Sequence, residues 1–409
     1  MPAPDPATAQ PTISVIIPAR DEEASLGACL ESLVAQTGVS FEIIVVDDGS
    51  TDRTREIAQS FSGVRVVDAG PLPRGWTGKN NAMARGAKQA HGEWLLFTDA
   101  DTVHSVTSLA RGLTEAEIRQ VRLLSYSPEQ EVHGFWQEAV MPVIFAELAT
   151  TYRPSEVSDP NSPAAAANGQ YLLISREAYD SVGGHTAVAG SLLEDVALAR
   201  AVKSSGRKIF FRYGDVVRTR MYRDFAQLRE GWTKNLALLF PSPRRLALLR
   251  LLEFILILAG AALAFIEGIR GRANAALVMI AAAIVLYALF LVRVRKAHFP
   301  WRANAVALLG LPLFAYLLQR SELCYKQGAV SWKGRAYSTQ LAEPEPEPRP
   351  ERNKDNAAPI VAGRAAQSLV DESSQLAPGS GNSTSAQAAA PAKVAALTPA
   401  ARHGKHSGA

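Results

Sequence analysis

The sequence predicts an α/β domain with a mostly parallel, Rossmann-like sheet, followed by C-terminal transmembrane helices and a disordered tail. Two observations predict the domain: short apolar strands alternate with helices over about the first 100 residues, and two of these strands run directly into acidic residues. A third observation predicts the membrane part, because long apolar runs follow residue 245.

The spacing of apolar residues places each element of this domain. A helix is expected over Glu22–Ala35, where five apolar residues at helical spacing form one face. The other expected elements are strands at Ile13–Pro18, Ile43–Val46, Val64–Val67 and Trp94–Thr98, and helices at about Asp52–Phe61 and Asn80–Ala90. This alternation is typical of βαβ units and predicts a doubly wound sheet.

Two aspartates follow the second of these strands. The β-branched run Ile43–Val46 is typical of a strand buried on both faces, and it leads directly into Asp47 and Asp48. Ligands of open α/β sheets bind outside the carboxyl ends of the strands. We therefore expect Asp47 and Asp48 to face a binding site.

A second pair of acids follows the strand Trp94–Thr98. Asp99 and Asp101 are separated by one residue, so both carboxylates can face one ion in an irregular turn. Mg²⁺ and Mn²⁺ prefer such oxygen ligands and accept phosphate as a partner. An Asp-x-Asp sequence is usually a solvated turn, but its position after a buried strand favours a metal site.

Three further charged residues stand at the starts of expected helices. Lys79 suits a phosphate there, although a solvated loop lysine is an equal alternative. Glu194 and Asp195 precede an apolar helix, where acids are often simple caps. The functional alternative makes Asp195 a general base for an attacking hydroxyl.

These motifs resemble the family 2 glycosyltransferases, which are inverting enzymes with the GT-A fold. The resemblance covers roughly Thr12–Asn235, and the motifs follow the family's order. The matching pieces are Ser14–Glu22, the Asp47-Asp48-Gly49-Ser50 turn, Gly78-Lys79, Asp99-Ala100-Asp101 and Glu194-Asp195. The family's Gln-x-x-Arg-Trp element is only approximated, by Gln227, Arg229 and Trp232.

The resemblance implies a nucleoside-diphosphate sugar as donor and a divalent cation, Mg²⁺ or Mn²⁺, as cofactor. It assigns the cation to Asp99 and Asp101 and the role of catalytic base to Asp195. The implied nucleotide-binding residues are Arg20, Glu22, Asp47, Asp48, Lys79 and Asp99. The implied acceptor or diphosphate region contains His185, Glu194, Trp232 and Lys234. For His185, as for His104, a structural role is the stronger alternative.

The apolar runs predict how the chain meets the membrane. Leu246–Ile266 and Ala275–Val292 are expected to span it, whereas Ala303–Leu318 is either a third span or a re-entrant segment. The basic connector from residue 293 to 302 predicts a cytoplasmic catalytic domain in a multi-pass protein of the inner or plasma membrane. The basic residues after the third run predict that the tail stays on the same side, which conflicts with three full spans.

The apolar segment Phe135–Thr151 has two interpretations. We prefer an interfacial helix that lets a lipid acceptor approach the site. The alternative is a helix buried beneath the sheet.

The sequence divides into five parts. We expect a disordered N-terminus (1–11), the glycosyltransferase domain (12–240), the transmembrane region (246–320), a membrane-proximal segment (321–341) and a disordered tail rich in Pro, Ala and Ser (342–409).

The balance of charge bears on which classes of partner we expect. With 43 Lys and Arg against 39 Asp and Glu, the chain has no strong basic excess, so no nucleic-acid partner is expected. We expect a metal-dependent hexosyltransferase that glycosylates a hydroxyl of a lipid or isoprenoid-type acceptor in the bilayer, similar to the hopanoid- and carotenoid-associated members of the family. Two alternatives stay open: a polyprenyl-phosphate acceptor, and a non-catalytic membrane scaffold that binds nucleotide-sugar.

Overall fold

An eight-stranded sheet lies at the centre of the N-terminal half in the computed structural model, which describes residues 10–337. Its strands, in chain order, are β1 (Ile13–Ala19), β2 (Phe41–Asp47), β3 (Val64–Asp68), β4 (Trp94–Phe97), β5 (Thr102–His104), β6 (Leu123–Gln130), β7 (Leu172–Ser175) and β8 (Ile209–Thr219). The predicted disordered tail (342–409) and residues 1–9 of the predicted disordered N-terminus lie outside the described residues.

The strand order is β3-β2-β1-β4-β7-β6-β8-β5. The four strands from β3 to β4 are parallel, with Ile16 of β1 opposite Ile44 of β2 and Phe97 of β4. β7 runs antiparallel to both of its neighbours, β4 and β6, while β6 and β8 are parallel. This mostly parallel sheet confirms the expected α/β fold class.

Ten helices accompany the sheet. They are α1 (Leu26–Val34), α2 (Thr54–Gln59), α3 (Gly78–Gln89), α4 (Ser108–Arg119), α5 (Phe135–Thr151), α6 (Pro154–Ser158), α7 (Arg176–Ser181), α8 (Gly184–Ala187), α9 (Glu194–Ser204) and α10 (Phe225–Leu239). α1 begins four residues later than expected. The backbone N–H groups of Glu22 and Glu23 instead donate to Thr54 Oγ1 (2.7 Å) and Asp52 Oδ2 (3.0 Å), which holds this segment as a loop.

Both faces of the sheet are covered, as the uninterrupted apolar strands predict. Along β2, Ile43 and Val45 point into one core with helix α1, and Ile44 and Val46 point into the other with helix α3. All four side chains are buried. Only the carboxyl end of the strand is therefore available to a ligand.

Among residues 243–337, three helices are long and apolar enough to cross a membrane. The first two are α11 (Pro243–Ile269) and α12 (Ala273–Val294), and the third combines α13 (Trp301–Val306), a 3₁₀ turn and α14 (Gly310–Lys326). Only 11% of the most apolar window of α11 and of α12 is buried, against 50% for the third helix. Protein thus covers much more of the third helix than of the other two.

Helix α5 packs against this helical region, so the preferred prediction of an interfacial helix is wrong for most of its length. Val140, Val143 and Ile144 are buried in one apolar cluster with Leu311 and Phe314 of α14. The alternative was right that the helix is buried, but it is covered by α14 and its neighbouring helices rather than by the sheet. The described residues consequently belong to one compact unit rather than to two separate parts.

A charged residue that interrupts the first apolar run, Arg250, forms an ion pair with α5. Glu147 of α5 lies 3.1 Å from Arg250 Nε and 3.3 Å from Arg293 Nε, at the same carboxylate oxygen. Glu253 completes the group, with contacts of 2.7 Å to both arginines. This network fixes α11 and α12 to the rest of the protein.

A β-hairpin follows α14 and consists of β9 (Val330–Trp332) and β10 (Arg335–Tyr337). Trp332 pairs with Arg335, which leaves Lys333 and Gly334 as a two-residue turn. Both turn residues have positive φ (46° and 73°), as a type I′ turn requires. The predicted membrane-proximal segment thus contains a folded hairpin, and this hairpin reaches the sheet.

Candidate active site

A cleft of about 300 Å³ opens at the carboxyl ends of β1, β2 and β4. Ten of the twelve predicted site residues line it: Arg20, Glu22, Asp48, Lys79, Asp99, Asp101, Glu194, Asp195, Trp232 and Lys234. The fold therefore brings together residues that come from six separate segments of the sequence.

Lys79 stands at the start of α3, between two carboxylates. Its Nζ lies 2.8 Å from Asp99 Oδ1 and 2.8 Å from Glu194 Oε1. Burial alone would lower the pKa of Lys79, but these two carboxylates outweigh it and raise the pKa well above its usual value. Lys79 is thus a fixed positive charge in the cleft, and the alternative of a solvated loop lysine is wrong.

The loop before α9 is tied to the start of α3. The side chain of Asn80 donates to the carbonyl groups of Val188, Ala189 and Ser191, at 2.8–2.9 Å. Thr77 caps α3 by accepting from the Asn80 N–H at 3.1 Å. These bonds hold Lys79 and the start of α9 at one fixed separation.

Asp195 lies in the first turn of α9. Its Oδ2 accepts a hydrogen bond from the Gly169 N–H at 2.9 Å, and its Oδ1 accepts from the Val196 N–H at 2.8 Å. Burial, together with the charge of the adjacent Glu194, raises the pKa of Asp195 to about 6. A carboxylate with this pKa suits proton transfer near neutral pH.

Asp101 meets a simple requirement of a cation site. Its Oδ1 is buried and has no hydrogen-bond partner among the described residues. Burial, and then the charges of Asp99 and Glu22, raise the pKa of Asp101 to about 8. An unpartnered buried carboxylate is costly, and a divalent cation would satisfy it.

The described residues contain no group of three or more His, Cys, Asp or Glu side chains arranged to hold a metal. Asp99 and Asp101 fit a cation that takes its other ligands from diphosphate and water, as Mg²⁺ commonly does.

Two predicted site residues, Asp47 and His185, do not line the cleft. The carboxylate of Asp47 is held by Arg55 Nη1 at 3.2 Å and by the Ser50 N–H at 3.1 Å, so it shapes the turn after β2. His185 is buried, and its Nδ1 lies 3.0 Å from the Tyr179 hydroxyl. Burial lowers the pKa of His185 to about 4, which keeps the ring neutral and fits the structural alternative.

The side of the cleft formed by α5 and α10 is largely apolar. Trp232 of α10 is 3% exposed and packs edge-on against Phe145 of α5, with ring centroids 6.0 Å apart. The other apolar residues of this wall are Leu148, Tyr152, Met221, Tyr222 and Leu239. We call these residues, together with Trp232 and Phe145, the apolar wall. It lies in the same cleft as Asp195.

Two cations of the cleft were not among the predicted site residues. Lys333 and Arg335 of the hairpin line it, and Lys333 Nζ lies 2.5 Å from Glu22 Oε1. Arg335 binds the carboxylate of Asp48, with one contact of 3.0 Å. Gly334 suits the second position of a two-residue hairpin turn, but it does not reveal where the hairpin lies.

The N-terminal part of the chain matches the model of a known protein family. Residues 14–179 match the family model described as "Glycosyl transferase family 2". Over these residues the chain is similar to the family 2 glycosyltransferases.

The chain is also similar to individual family members. It is 32% identical over 236 residues to the 4,4'-diaponeurosporenoate glycosyltransferase of Staphylococcus aureus strain USA300, and 33% identical to that of strain MRSA252. The match covers 55% of this chain and 60% of the length of these relatives.

Solved glycosyltransferases are also similar to it. A mannosyltransferase from Pyrobaculum calidifontis, in complex with GDP-Man and Mn²⁺, is 18% identical, with a TM-score of 0.46 over 79% of this chain and 88% of that one. Glucosyl-3-phosphoglycerate synthase from Mycobacterium tuberculosis, in complex with Mn²⁺, UDP and phosphoglyceric acid, is 24% identical, with a TM-score of 0.38 over 56% and 76%.

Proposed function

We propose that this protein is an inverting, metal-dependent glycosyltransferase that moves a hexose from a nucleoside-diphosphate sugar to an isoprenoid-type acceptor in the membrane. One observation carries the proposal. A single cleft joins a cationic and acidic end (Lys79, Asp99 and Asp101) to the apolar wall, with the carboxylate of Asp195 in the same cleft.

The donor half of the reaction needs positive charge near the leaving group, which is the diphosphate. When the bond between the anomeric carbon and the phosphate oxygen breaks, its electron pair leaves with the diphosphate. Lys79 is held in its charged form by Asp99 and Glu194 and is placed to stabilise that charge. A divalent cation held by Asp99 and Asp101 would supply further charge neutralisation.

The acceptor half needs a base. In the proposed step, the acceptor oxygen bonds to the anomeric carbon while its proton passes to Asp195. Attack from the face opposite the leaving group inverts the configuration, and one base suffices for a single displacement. The pKa of about 6 leaves Asp195 largely ionised, and so able to accept a proton, at neutral pH.

The apolar wall and the curated relatives support an isoprenoid acceptor. The name of those relatives gives diaponeurosporenoate, a carotenoid carboxylate, as the substrate. A carboxylate or a polyprenyl phosphate is already anionic, so it would need no base, whereas a hydroxyl would need Asp195. The elevated pKa of Asp195 favours a hydroxyl acceptor. Transfer to a hydroxyl should depend on Asp195, whereas transfer to an anionic acceptor should not.

The proposed membrane arrangement rests on α11 and α12, whose surfaces are largely uncovered by protein. The connector after α12 lies beside the catalytic domain, since the rings of His298 and Tyr213 are 5.2 Å apart. The third helix packs along α5 and ends at the hairpin in the cleft, which supports an arrangement with both of its ends on the catalytic side. With the basic connector in the cytoplasm, the catalytic domain is cytoplasmic and two helices enter the bilayer.

The test uses the full-length protein in lipid nanodiscs, a panel of nucleoside-diphosphate sugars, Mn²⁺, and membrane lipid extract. We expect nucleoside diphosphate release that requires lipid and falls at least about 100-fold in Asp195→Asn and in Asp101→Asn. Donor binding without lipid-dependent release would contradict the proposal and favour the non-catalytic scaffold. Asp215→Asn is the control, because that acid is exposed on the surface.

A further inference from the structure

The hairpin places two cations in the cleft from a part of the chain that follows the membrane helices. We propose that Lys333 and Arg335 bind the diphosphate of the donor and so complete the donor site. This inference rests on the proposed function, because it presumes a nucleoside-diphosphate donor.

The hairpin is anchored in place. Val330 is 1% exposed and packs with Tyr325 of α14 and with Leu192, which precedes α9. Two residues further along the strand, the ring of Trp332 lies 5.3 Å from Lys234 Nζ. Helices α10 and α14 therefore fix the position of the turn that carries Lys333.

Lys333 occupies a turn position that disfavours lysine. Its φ of +46° lies in the left-handed region, where Gly, Asn and Asp are preferred. Its ammonium nevertheless reaches Glu22 Oε1 at 2.5 Å and the carbonyl oxygen of Arg20 at 2.8 Å. A costly backbone conformation that delivers a charge into a cleft is typical of a functional side chain.

Arg335 lies against the start of α3. Its guanidinium binds the carboxylate of Asp48 through two nitrogens, and it sits over the bare backbone of Gly78. A Cβ atom at residue 78 would overlap this guanidinium. Arg335 thus lies next to Lys79, the residue proposed to stabilise the leaving group.

The charge balance of the cleft shows what the hairpin contributes. Six acids line the cleft: Glu22, Asp48, Asp99, Asp101, Glu194 and Asp195. Five cations face them, Arg20, Lys79, Lys234, Lys333 and Arg335, and two of these come from the hairpin. Without the hairpin a strongly acidic cleft would have to accept a diphosphate, which like-charge repulsion opposes.

The present partners of the two cations suggest how the donor enters. Asp48 is one of the implied nucleotide-binding residues, and hydroxyl or N–H groups of the nucleoside would donate to its carboxylate in place of Arg335. The freed guanidinium has the fork geometry that suits bidentate contact with phosphate oxygens. Lys333 would leave its contact with Glu22 and bind the same diphosphate.

The test compares nucleotides that differ by one phosphate. The full chain in nanodiscs is titrated by calorimetry, in the presence of Mn²⁺, with UDP and with UMP. The same comparison is made for GDP and GMP, ADP and AMP, and CDP and CMP. We expect Arg335→Gln and Lys333→Asn each to weaken binding of the diphosphate about tenfold or more, and that of the monophosphate less than about threefold. Arg335→Lys should restore part of the loss.

The variants separate binding from folding. Asn is favoured at the left-handed position of residue 333, so Lys333→Asn keeps the turn while removing the charge. Arg207→Gln is the matched control, because Arg207 pairs with Glu177 away from the cleft. It should change neither affinity.

Three results would overturn the inference. The variants could lose equal affinity for diphosphate and monophosphate, or could keep the wild-type affinity. They could also bind the diphosphate more tightly, as expected if the hairpin blocks the donor site. If the wild type binds none of the nucleotides, the proposed function fails as well. If the variants lose the preference for the diphosphate but no acceptor is glycosylated, this inference stands and the proposed function fails.

Discussion

Lys79 and Glu194 form a 2.8 Å ion pair that joins the first turn of α3 to the first turn of α9. The pair brings together two of the motifs on which the family resemblance depends. It also fixes the proposed base, Asp195, relative to the cation proposed to stabilise the leaving group.

The first prediction concerns Lys79. Lys79→Gln should lower the rate of sugar transfer about 100-fold or more, because it removes a preorganised charge at the leaving group. Glu194→Gln should cost less, about tenfold, since Asp99 still holds the ammonium at 2.8 Å. The measurement is kcat with saturating donor. Lys88→Gln changes an exposed lysine of the same helix, and a rate for Lys79→Gln equal to that of this control would contradict the assignment.

The second prediction is a pH dependence. A base must be deprotonated to act, so activity is present above the pKa of Asp195 and is lost as the pH falls through about 6. With a hydroxyl acceptor, kcat/KM should fall about tenfold per pH unit below that value.

The control for this pH dependence is the acceptor itself. A carboxylate acceptor should abolish both the acidic limb and the sensitivity to Asp195→Asn. A flat profile between about pH 5 and 8 with a hydroxyl acceptor would be evidence against Asp195 as the base.

The third prediction concerns the cation. Asp101→Asn should raise the Mn²⁺ concentration needed for half-maximal transfer at least about tenfold, because it removes one of two carboxylate ligands. Titration of Mn²⁺ after treatment with EDTA measures this concentration. Full activity of the wild type in EDTA would show that the buried oxygen of Asp101 has another purpose.

The fourth prediction concerns the junction of α5 and α14. A Cβ at residue 310 would overlap the backbone of Ala139, so Gly310→Ala should force these helices apart and destabilise the protein by about 1–3 kcal/mol. Thermal unfolding in nanodiscs measures the change. Gly268→Ala is the matched control, because a Cβ there meets open space. If both variants unfold at the same temperature as the wild type, α5 does not pack as described.

The sequence predicted the sheet and most of the cleft for a local reason. Apolar runs such as Ile43–Val46 define buried strands, and the carboxyl ends of parallel strands meet at one edge. Choosing between Asp47 and Asp48 was not possible from the sequence, because successive strand residues point to opposite faces. In the structure, Asp48 lines the cleft, whereas the carboxylate of Asp47 accepts a hydrogen bond from Arg55.

Two other features depend on distant parts of the chain. The contact between Asp48 and Arg335 spans 287 residues and depends on the path of all the helices from α2 to α14, which no local pattern specifies. Helix α5 could have been placed better, since its apolar residues occupy all faces rather than one. That pattern is typical of a buried helix, whereas an interfacial helix has one polar face.

The most direct test of the central claim follows the sugar itself. The full-length protein in nanodiscs is given the donor that it binds, labelled in the sugar, together with long-chain isoprenoid alcohols and acids. We predict label in the organic phase, attached with the anomeric configuration opposite to that of the donor, and none with Asp195→Asn for the alcohols. Label that stays in the aqueous phase with every acceptor, or a product that retains the donor configuration, would contradict an inverting transferase with a membrane acceptor.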